Sequence, residues 1–486
     1  MKFDVAIIGA GITGSSIAFE LSKYKLDVVL IEKENDVSLC TTKANSGIVH
    51  AGYDPKPGTK MAELNVYGSK HYKKLAEDLN FHYKQIGSLV IGRDEDKALI
   101  EELYKRGIAN GVEELSILNK EEIHELEPSL ASDISVALLA KTAAIVSPWE
   151  VCIAMAETAV KNGVTLLLNN EVKDINKKED VFIIETSKET IEARYVINAA
   201  GCHADDIYNT VLLKGKKAAD YFNITPSKGE YYLLDKAQGK LVNHVIFQTP
   251  SKVGKGVLVS QTVHGNLIVG PNASTDVRDK DDVSTKAEAL AFVREKAVLS
   301  VPSINFRENI RNFSGERATI AGLDDFVIGE SKEVKNFINF AGIKSPGLSC
   351  APSFGVEATK ILSELGLSLE KKDDFVLSPL NTYFKDLPEE EKIKKIQENK
   401  DYGQIICRCE TVSLGEIKDA LHRIIPATSI DGVKRRTNAG MGRCQGGFCG
   451  PKVLEIIEQE LHIKPDHINQ DREGSFIIEA FTKGDK

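Results

Sequence analysis

The first 32 residues limit what this chain can fold into more than any other stretch. Phe3-Asp4-Val5-Ala6-Ile7-Ile8 is a short apolar run suited to a buried strand, and Gly9-Ala10-Gly11-Ile12-Thr13-Gly14 follows as G-x-G-x-x-G. Ser15 to Tyr24 then repeats apolar residues at helical spacing through Ile17, Ala18 and Leu21. A second apolar run, Val28 to Ile31, ends in Glu32, 18 residues after Gly14. Strand, glycine turn, helix, strand and terminal acid in this order predict a βαβ nucleotide cradle. Gly9 makes the tight turn, Gly11 lets the main chain approach a pyrophosphate, Gly14 lets the helix pack on the strand, and Glu32 accepts hydrogen bonds from ribose hydroxyls. The helix N-terminus brings partial positive charge to the phosphates.

A chain of 486 residues exceeds what one core organises, so two or three domains are expected. Its net charge of -9, with acidic and basic residues interspersed, argues against a nucleic-acid partner. The first strand begins at about Phe3, which leaves no room for a cleaved signal, and no apolar run approaches the roughly 18 residues of a membrane span. A cytoplasmic protein without an integral membrane segment is expected, with peripheral association left open.

Further along, the small residues from Cys40 to Gly47 lead into Ile48-Val49-His50-Ala51-Gly52, where main-chain amides can approach a ligand. A helix is predicted from Met61 to Leu79, a strand from Ile86 to Ile91, a helix from Leu115 to Pro128, and an amphipathic helix from Glu150 to Asn162. A β-rich run then leads into Tyr195-Val196-Ile197-Asn198-Ala199-Ala200-Gly201, a strand that returns beside the glycine turn. From Ile224 to Gly270 strands alternate without strong helices, as in an antiparallel substrate domain. Phe337 to Phe340 forms another strand, followed by the turn Gly342 to Ser349 and a helix from Ser353 to Leu365. The expected fold is α/β plus α+β: a discontinuous Rossmann-like domain over residues 1–80, 145–220 and 330–368, and an antiparallel-sheet substrate domain over 81–144 and 221–329. A charged connecting arm over 369–402 and a small C-terminal helical domain with its tail over 403–486 complete it.

These features together resemble FAD-dependent oxidoreductases of the D-amino-acid-oxidase superfamily over about residues 1–365. The resemblance implies that Gly9, Gly11, Ile12, Thr13 and Gly14 face the FAD pyrophosphate, Glu32 and Lys33 the adenosine ribose, and Val172 the adenine. It further implies that Thr41, Thr42, Ser46 and Gly47 approach the pyrophosphate and flavin, beside Ala200 and Gly201, and that Gly342, Gly347, Leu348 and Ser349 lie under the flavin's pyrimidine edge. There the dipole of the following helix favours the reduced, anionic ring.

Flavin chemistry removes a hydride while a base takes the proton from the attached hydroxyl or amine. His50 is the first candidate base, with covalent attachment of FAD as a rival role and a structural histidine as the plain one; His244 is a second candidate, and His264, in a predicted turn, is expected to be exposed. Arg317 and Lys344 are candidate clamps for an anionic substrate, or else surface ion pairs.

Four of the eight cysteines crowd the C-terminal region: Cys407-Arg408-Cys409, 34 intervening residues, then Cys444 to Cys449 as C-x-x-x-x-C. Four thiolates bind zinc or an iron-sulfur cluster, and C-x-C is unusual for zinc. The spacing, with Gly440-Met441-Gly442-Arg443, resembles bacterioferritin-associated-ferredoxin [2Fe-2S] domains over about residues 403–461. From Gly403 to Lys452 there are eight Lys or Arg against four Asp or Glu, a local +4 that offsets anionic thiolates. Ser413 and Glu416 predict a helix-capping box, and Pro451 the first turn of another helix.

The catalytic part looks most like L-2-hydroxyglutarate dehydrogenases at Asn45 to Lys56 and Gly229 to Tyr231; the cysteine module resembles the tail of anaerobic glycerol-3-phosphate dehydrogenase catalytic subunits. A one-electron centre behind a flavin implies onward transfer, hence a dehydrogenase. The reading taken is oxidation of sn-glycerol 3-phosphate by FAD, with electrons passing through a [2Fe-2S] cluster to a flavoprotein or quinone-linked partner. A 2-hydroxy or amino acid is the alternative substrate, and a docking or iron-sensing role for the module is the alternative of another class.

Overall fold

A computed structural model describes residues 1–212, 221–249, 256–277 and 279–480. The ends of the expected 145–220 segment and of the C-terminal tail therefore fall outside the described residues.

The nucleotide cradle is built on a parallel core. Lys2–Ile8 pairs in parallel with Val28–Ile31 on one side and Thr190–Asn198 on the other; Thr165–Leu167 and Phe337–Ala341 extend it outward in the same sense. Alternate residues enter two different cores, Ile7 and Leu30 on one face, Ala6, Ile8, Val29 and Ile31 on the other. Burial on both faces explains why these strands are apolar throughout rather than alternating. An antiparallel ribbon, Val172–Lys178 with Val181–Thr186, continues from the first half of Thr190–Asn198.

The helix after the glycine turn runs Ile12–Leu21, three residues earlier than periodicity suggested, because Gly11 already takes the extended N-cap conformation and Ile12 is buried. Gly9 has φ +100°, and a Cβ there would meet the Ala199 carbonyl oxygen at 2.6 Å; one on Gly14 would meet the Gly9 carbonyl oxygen at 1.9 Å. Strand, turn, helix and return strand are thus closed on one another with no room for a methyl group.

The second sheet runs in the order Asn309–Arg317, Ser227–Leu234, Leu267–Gly270, Leu258–Gln261, Val245–Gln248, Ser88–Gly92, Val136–Ala140, Leu115–Asn119. It departs from the expected antiparallel pattern at one seam, where Val245–Gln248 runs parallel to Ser88–Gly92. That seam joins the two insertions, which no hairpin links, so no turn dictates their relative direction.

The cysteine module has its own core of Ile417, Leu421, Val433, Val453 and Ile457 beneath the helices Leu414–Leu421, Ile430–Thr437 and Gly450–Leu461. The capping box at Ser413 and Glu416 forms, and Pro451 lies in a first turn. The module docks through charge. Asp36, in the loop after Glu32, accepts hydrogen bonds from Arg436 Nη1 and Nη2, both at 2.8 Å, and from Arg435 Nη2 at 3.0 Å. Arg435 continues to Asp471 at 2.6 Å, which also binds Lys43. Arg423 Nε donates to Glu157 at 2.8 Å. Among the described residues no helix is long and apolar enough to cross a membrane.

Candidate active site and cysteine cluster

A cavity of about 1490 Å³ runs from the glycine turn to the cysteine module. It exceeds the roughly 300–1,000 Å³ of a pocket for one ligand, as a dinucleotide plus a substrate requires. Gly9, Gly11, Ile12, Thr13, Glu32, Lys33, Thr41, Thr42, Ser46, Gly47, Val172, Ala200, Gly201, Gly347 and Leu348 all line it. Three expected contacts do not. Gly14 lies behind the wall against Gly9, Gly342 packs on Ile320, and Ser349 is fully buried. These are supports: the Ser349 hydroxyl accepts from the His50 main-chain N–H at 2.8 Å and donates to the Ile48 carbonyl at 3.3 Å.

The cradle fits an adenine dinucleotide. Glu32 is oriented by main-chain N–H groups, Oε2 from Ala10 at 2.7 Å and Oε1 from Glu34 at 3.0 Å, and burial pushes its carboxyl up while these bonds oppose the shift. Thr42 Oγ1 accepts from the Ile12 N–H at 2.9 Å, and a Cβ on Gly11 would crowd it at 3.2 Å. Lys33 pairs with Asp281 at 3.0 Å along the same wall.

At the other end stands His50. Its ring stacks on Phe247 with centroids 5.5 Å apart, Nε2 lies 3.5 Å from Ser345 Oγ, and its carbonyl accepts from Asn65 Nδ2 at 2.8 Å. Arg317 Nη1 is 3.4 Å from the Ser227 carbonyl and hydroxyl, Nη2 is 3.3 Å from the Asn272 carbonyl, and the guanidinium also bonds the Tyr231 hydroxyl. These neutral oxygens orient the guanidinium toward the cavity without cancelling its charge. Lys344 also lines the cavity, paired with the exposed Asp324 at 3.0 Å. His244 is a correction: its Nδ1 lies 2.7 Å from Glu127 Oε1, away from the cavity wall, where it holds a buried carboxylate.

His264 is a second correction. Its side chain is only 10% exposed, because the hairpin tip folds onto Trp149 and reaches Asn438 of the cysteine module, Nδ1 to Nδ2 3.2 Å. A histidine beside Gly265-Asn266 looks like a turn tip, and it is buried by distant segments that carry Trp149, His82, Tyr383 and Asn438. Trp149, His264, Tyr231 and Glu316 are cavity-lining residues that sequence reasoning left out. Glu316 is 4% exposed with both carboxyl oxygens lacking a hydrogen bond; burial pushes it up to about 7, against the pull of Lys228. Its adjacency to Arg317 on a strand after Gly315 was the available signal.

The four module cysteines fall into two pairs. Cys409 and Cys444 have sulfurs 3.5 Å apart at the surface; Cys407 and Cys449 are hydrogen-bonded to each other and buried. A single zinc with bonds of about 2.3 Å would draw all four sulfurs within about 4 Å of one another. No three of these cysteines converge even within 4.8 Å, whereas two pairs suit a two-iron cluster. Main-chain N–H groups of Gly440 and Glu410 point at Cys407, that of Cys444 at Cys409, and those of Gly446 and Phe448 at Cys444, stabilising thiolates. Cys407 is held low, first by the hydrogen bond from Cys449 and then by those amides against burial. Asn438, two residues before Gly440, is the contact of His264; the buried sulfur pair lies in the module's own core and the other pair lies at its surface.

Residues 4–361 match the family described as FAD dependent oxidoreductase, and residues 405–459 match the BFD-like [2Fe-2S] binding domain. A glycerol 3-phosphate dehydrogenase from Caloramator mitchellensis is 49% identical over 490 residues, covering 99% of each chain. A glycerol 3-phosphate oxidase from Mycoplasma genitalium is 33% identical, over 76% of this chain and 96% of its own length. The solved structure of an FAD-bound L-alpha-glycerophosphate oxidase from Mycoplasma pneumoniae superposes with a TM-score of 0.74 at 32% identity, covering 79% of this chain and 100% of that one. The nucleotide cradle, the two sheets and these matches agree: this chain belongs to the FAD-dependent oxidoreductase family, and it carries a C-terminal [2Fe-2S] domain.

Proposed function

We propose that this enzyme is a dehydrogenase that oxidises sn-glycerol 3-phosphate to dihydroxyacetone phosphate and delivers the electrons to a partner protein. The observation that carries the proposal is that one cavity is walled by the dinucleotide cradle, by His50 and Arg317, and by Asn438, Met441 and Gln445 of the cysteine module. FAD, when bound, supplies the acceptor for the hydride leaving C2 of the substrate. His50 takes the proton of the C2 hydroxyl, so the C–O bond becomes a carbonyl without charge building on oxygen. Arg317 binds the phosphate through its guanidinium, and Ser345 and Phe247 fix the imidazole plane.

The relative named as a dehydrogenase matches 99% of this chain, module included, while the oxidase from Mycoplasma genitalium fits nearly whole within 76% of it. An extra one-electron centre is superfluous when oxygen takes the electrons directly, which favours onward transfer. The exit lies at the Cys409 and Cys444 corner, where Phe448 is 84% exposed and where Arg408, next to Cys409 in the chain, and Lys452, four residues after Phe448, are exposed as well. An exposed aromatic and exposed cations on the same small module suit a partner with an acidic rim around its own redox centre.

The test is anaerobic rapid mixing of the purified protein with glycerol 3-phosphate and, separately, with L-2-hydroxyglutarate. Bleaching of the flavin band by the phosphate alone, followed by cluster reduction in the same turnover, is the expected result. Bleaching by the hydroxy acid alone overturns the substrate assignment; bleaching without cluster reduction overturns electron relay and leaves the module a docking or sensing element.

A further inference from the structure

Between the cavity and the docked module, four segments of chain converge on one buried carboxylate. Glu150, in the first turn of the helix Pro148–Lys161, has a side chain only 3% exposed. Its Oε2 accepts the His82 main-chain N–H at 2.9 Å and lies 2.8 Å from His82 Nδ1. Its Oε1 accepts the Tyr383 hydroxyl at 2.7 Å and lies 3.4 Å from His264 Nε2. Among the described residues, His82, Glu150 and His264 are the one set of three ligating side chains whose donor atoms all fall within 4.8 Å of one another.

Hydrogen bonding leaves this cluster incomplete. His264 Nε2 is buried and meets Glu150 Oε1 only through a long, poorly aligned contact at 3.4 Å; Asn438 Oδ1, beside the same ring, is buried and unpartnered. Asn438 presents its amide nitrogen to His264 Nδ1 at 3.2 Å. As it stands Nδ1 accepts from that amide and the ring proton is on Nε2, facing Glu150 Oε1; a metal taking Nε2 moves the proton to Nδ1, where the Asn438 amide, turned about, offers Oδ1. The lone pair of His264 Nε2 then faces the Glu150 carboxylate, an arrangement that a cation between them resolves. Each imidazole also has a polar side chain near its second ring nitrogen, the kind of outer partner that orients metal-binding histidines: Asn438 stands behind His264, and Asp386 Oδ2 lies 3.9 Å from His82 Nε2, beyond a direct hydrogen bond.

We propose that His82, Glu150 and His264 form a binding site for a divalent transition metal of the zinc class, separate from the cysteine cluster. Two imidazoles and a carboxylate are a zinc donor set, and tetrahedral bonds of about 2.1 Å give ligand-to-ligand edges of about 3.4 Å. The two edges end on different carboxylate oxygens, His264 Nε2 3.4 Å from Oε1 and His82 Nδ1 2.8 Å from Oε2, so a metal between the imidazoles is met by both oxygens of Glu150, and the shorter edge opens by about half an ångström when the metal replaces its proton. His82 is 34% exposed, which provides an entry path and a fourth position for water. The metal ties the helix that begins beneath the cavity to the hairpin tip that touches the cysteine module, so its effect is to fix the wall formed by Trp149 and His264.

The experiment uses the full-length protein with FAD and cluster in place. It is dialysed against EDTA and then chelator-free buffer, analysed for iron, and titrated with zinc chloride by calorimetry. Binding of about one zinc per chain with a Kd at or below the micromolar range is expected, with the iron content and flavin spectrum unchanged. His264→Ala abolishes this binding, and His82→Gln, at a partly exposed position that the fold tolerates, weakens it at least about a hundredfold. The proposal is overturned if the wild-type protein, its iron content intact, binds no zinc up to about 100 μM. It is equally overturned if His82→Gln and His264→Ala leave zinc binding unchanged, which would assign the bound metal to another site and leave the cluster a hydrogen-bonded ion pair.

Discussion

The nucleotide cradle and the seam that holds the cysteine module meet on the same loop, residues 33–43, yet they are made from different materials. On the cradle side the shape is set by main chain: Gly14 against the Gly9 carbonyl, Gly9 under Ala199, amide N–H groups on Glu32. On the module side it is set by charge: Asp36 between Arg435 and Arg436, with side chains 4%, 5% and 1% exposed. A main-chain cradle tolerates change at every side chain that points away from it but no added Cβ at its glycines. An ionic seam is intolerant of the loss of any one partner, because the remaining charge stays buried. Cofactor binding and domain docking in this chain are therefore separately breakable.

The sharpest way to test that separation is at the chemistry itself. His50→Gln keeps the ring's neighbours and removes the base, so flavin bleaching by substrate should slow about 10²- to 10⁴-fold while the [2Fe-2S] absorbance and the melting temperature stay at wild-type values. Arg317→Ala should instead act through KM, raising it about 10- to 100-fold, the range expected for lost hydrogen bonds to a charged group. If either variant also loses its cluster, the two halves are not independent.

Asp36→Asn attacks the seam instead. Buried Arg436 loses its carboxylate partner and Arg435 keeps only Asp471, a loss of about 3–5 kcal/mol of stability, measurable by chemical unfolding, with the cradle glycines untouched. The pH dependence has a defined sign. Burial pushes the Asp36 carboxyl up, but Arg436 and Arg435 outweigh it and hold it down at about 2, against an ordinary 3.8. The stabilisation is therefore present above about pH 4 and disappears as the pH falls toward 2 in the wild type; in Asp36→Asn that acid limb flattens. An unaltered acid limb would mean that the seam does not hold the module.

The same contrast decides what the amino-acid sequence discloses. Main-chain sites demand glycines and apolar runs at fixed spacing, so the turn at Gly9 to Gly14, the return strand ending at Asn198 and the late strand at Phe337 are visible in one dimension. The cysteines are visible for a related reason, since thiolates have few other uses at such spacing. Ionic and imidazole contacts leave no such trace. Asp36 and Arg436 are 400 positions apart, and nothing local distinguishes them from solvated charges. His264 resembled a turn tip until Asn438 and Trp149 covered it, and His244 resembled a cavity residue until Glu127 claimed it. The parallel seam between Val245–Gln248 and Ser88–Gly92 escaped because strand periodicity carries no direction.

At the exit corner the expected effect is smaller. Phe448→Ala removes an exposed ring without disturbing the sulfur pairs, and reoxidation of the reduced protein by an acidic flavodoxin should slow about tenfold, with weaker dependence on ionic strength when Arg408 is also neutralised. Substrate bleaching of the flavin should not change. Unaltered reoxidation would put the partner elsewhere and leave the exposed Cys409 side without a role in transfer.

The smallest effect concerns the one cavity residue that blurs the division. Glu316 lies in the half governed by main chain, yet it is a buried carboxyl without hydrogen bonds, pushed up to about 7 from an ordinary 4.5 because burial outweighs Lys228. Between those two values the unfolded chain has released this proton and the native protein has kept it, so stability falls as pH rises through the window and stays lower above pH 7. Glu316→Gln keeps the shape and removes the titration. The variant's melting temperature should therefore match the wild type near pH 5 and exceed it at pH 8, the opposite trend to the acid-side loss at Asp36. If the difference between variant and wild type is the same at both pH values, Glu316 is ionised throughout and a cation in the cavity compensates it.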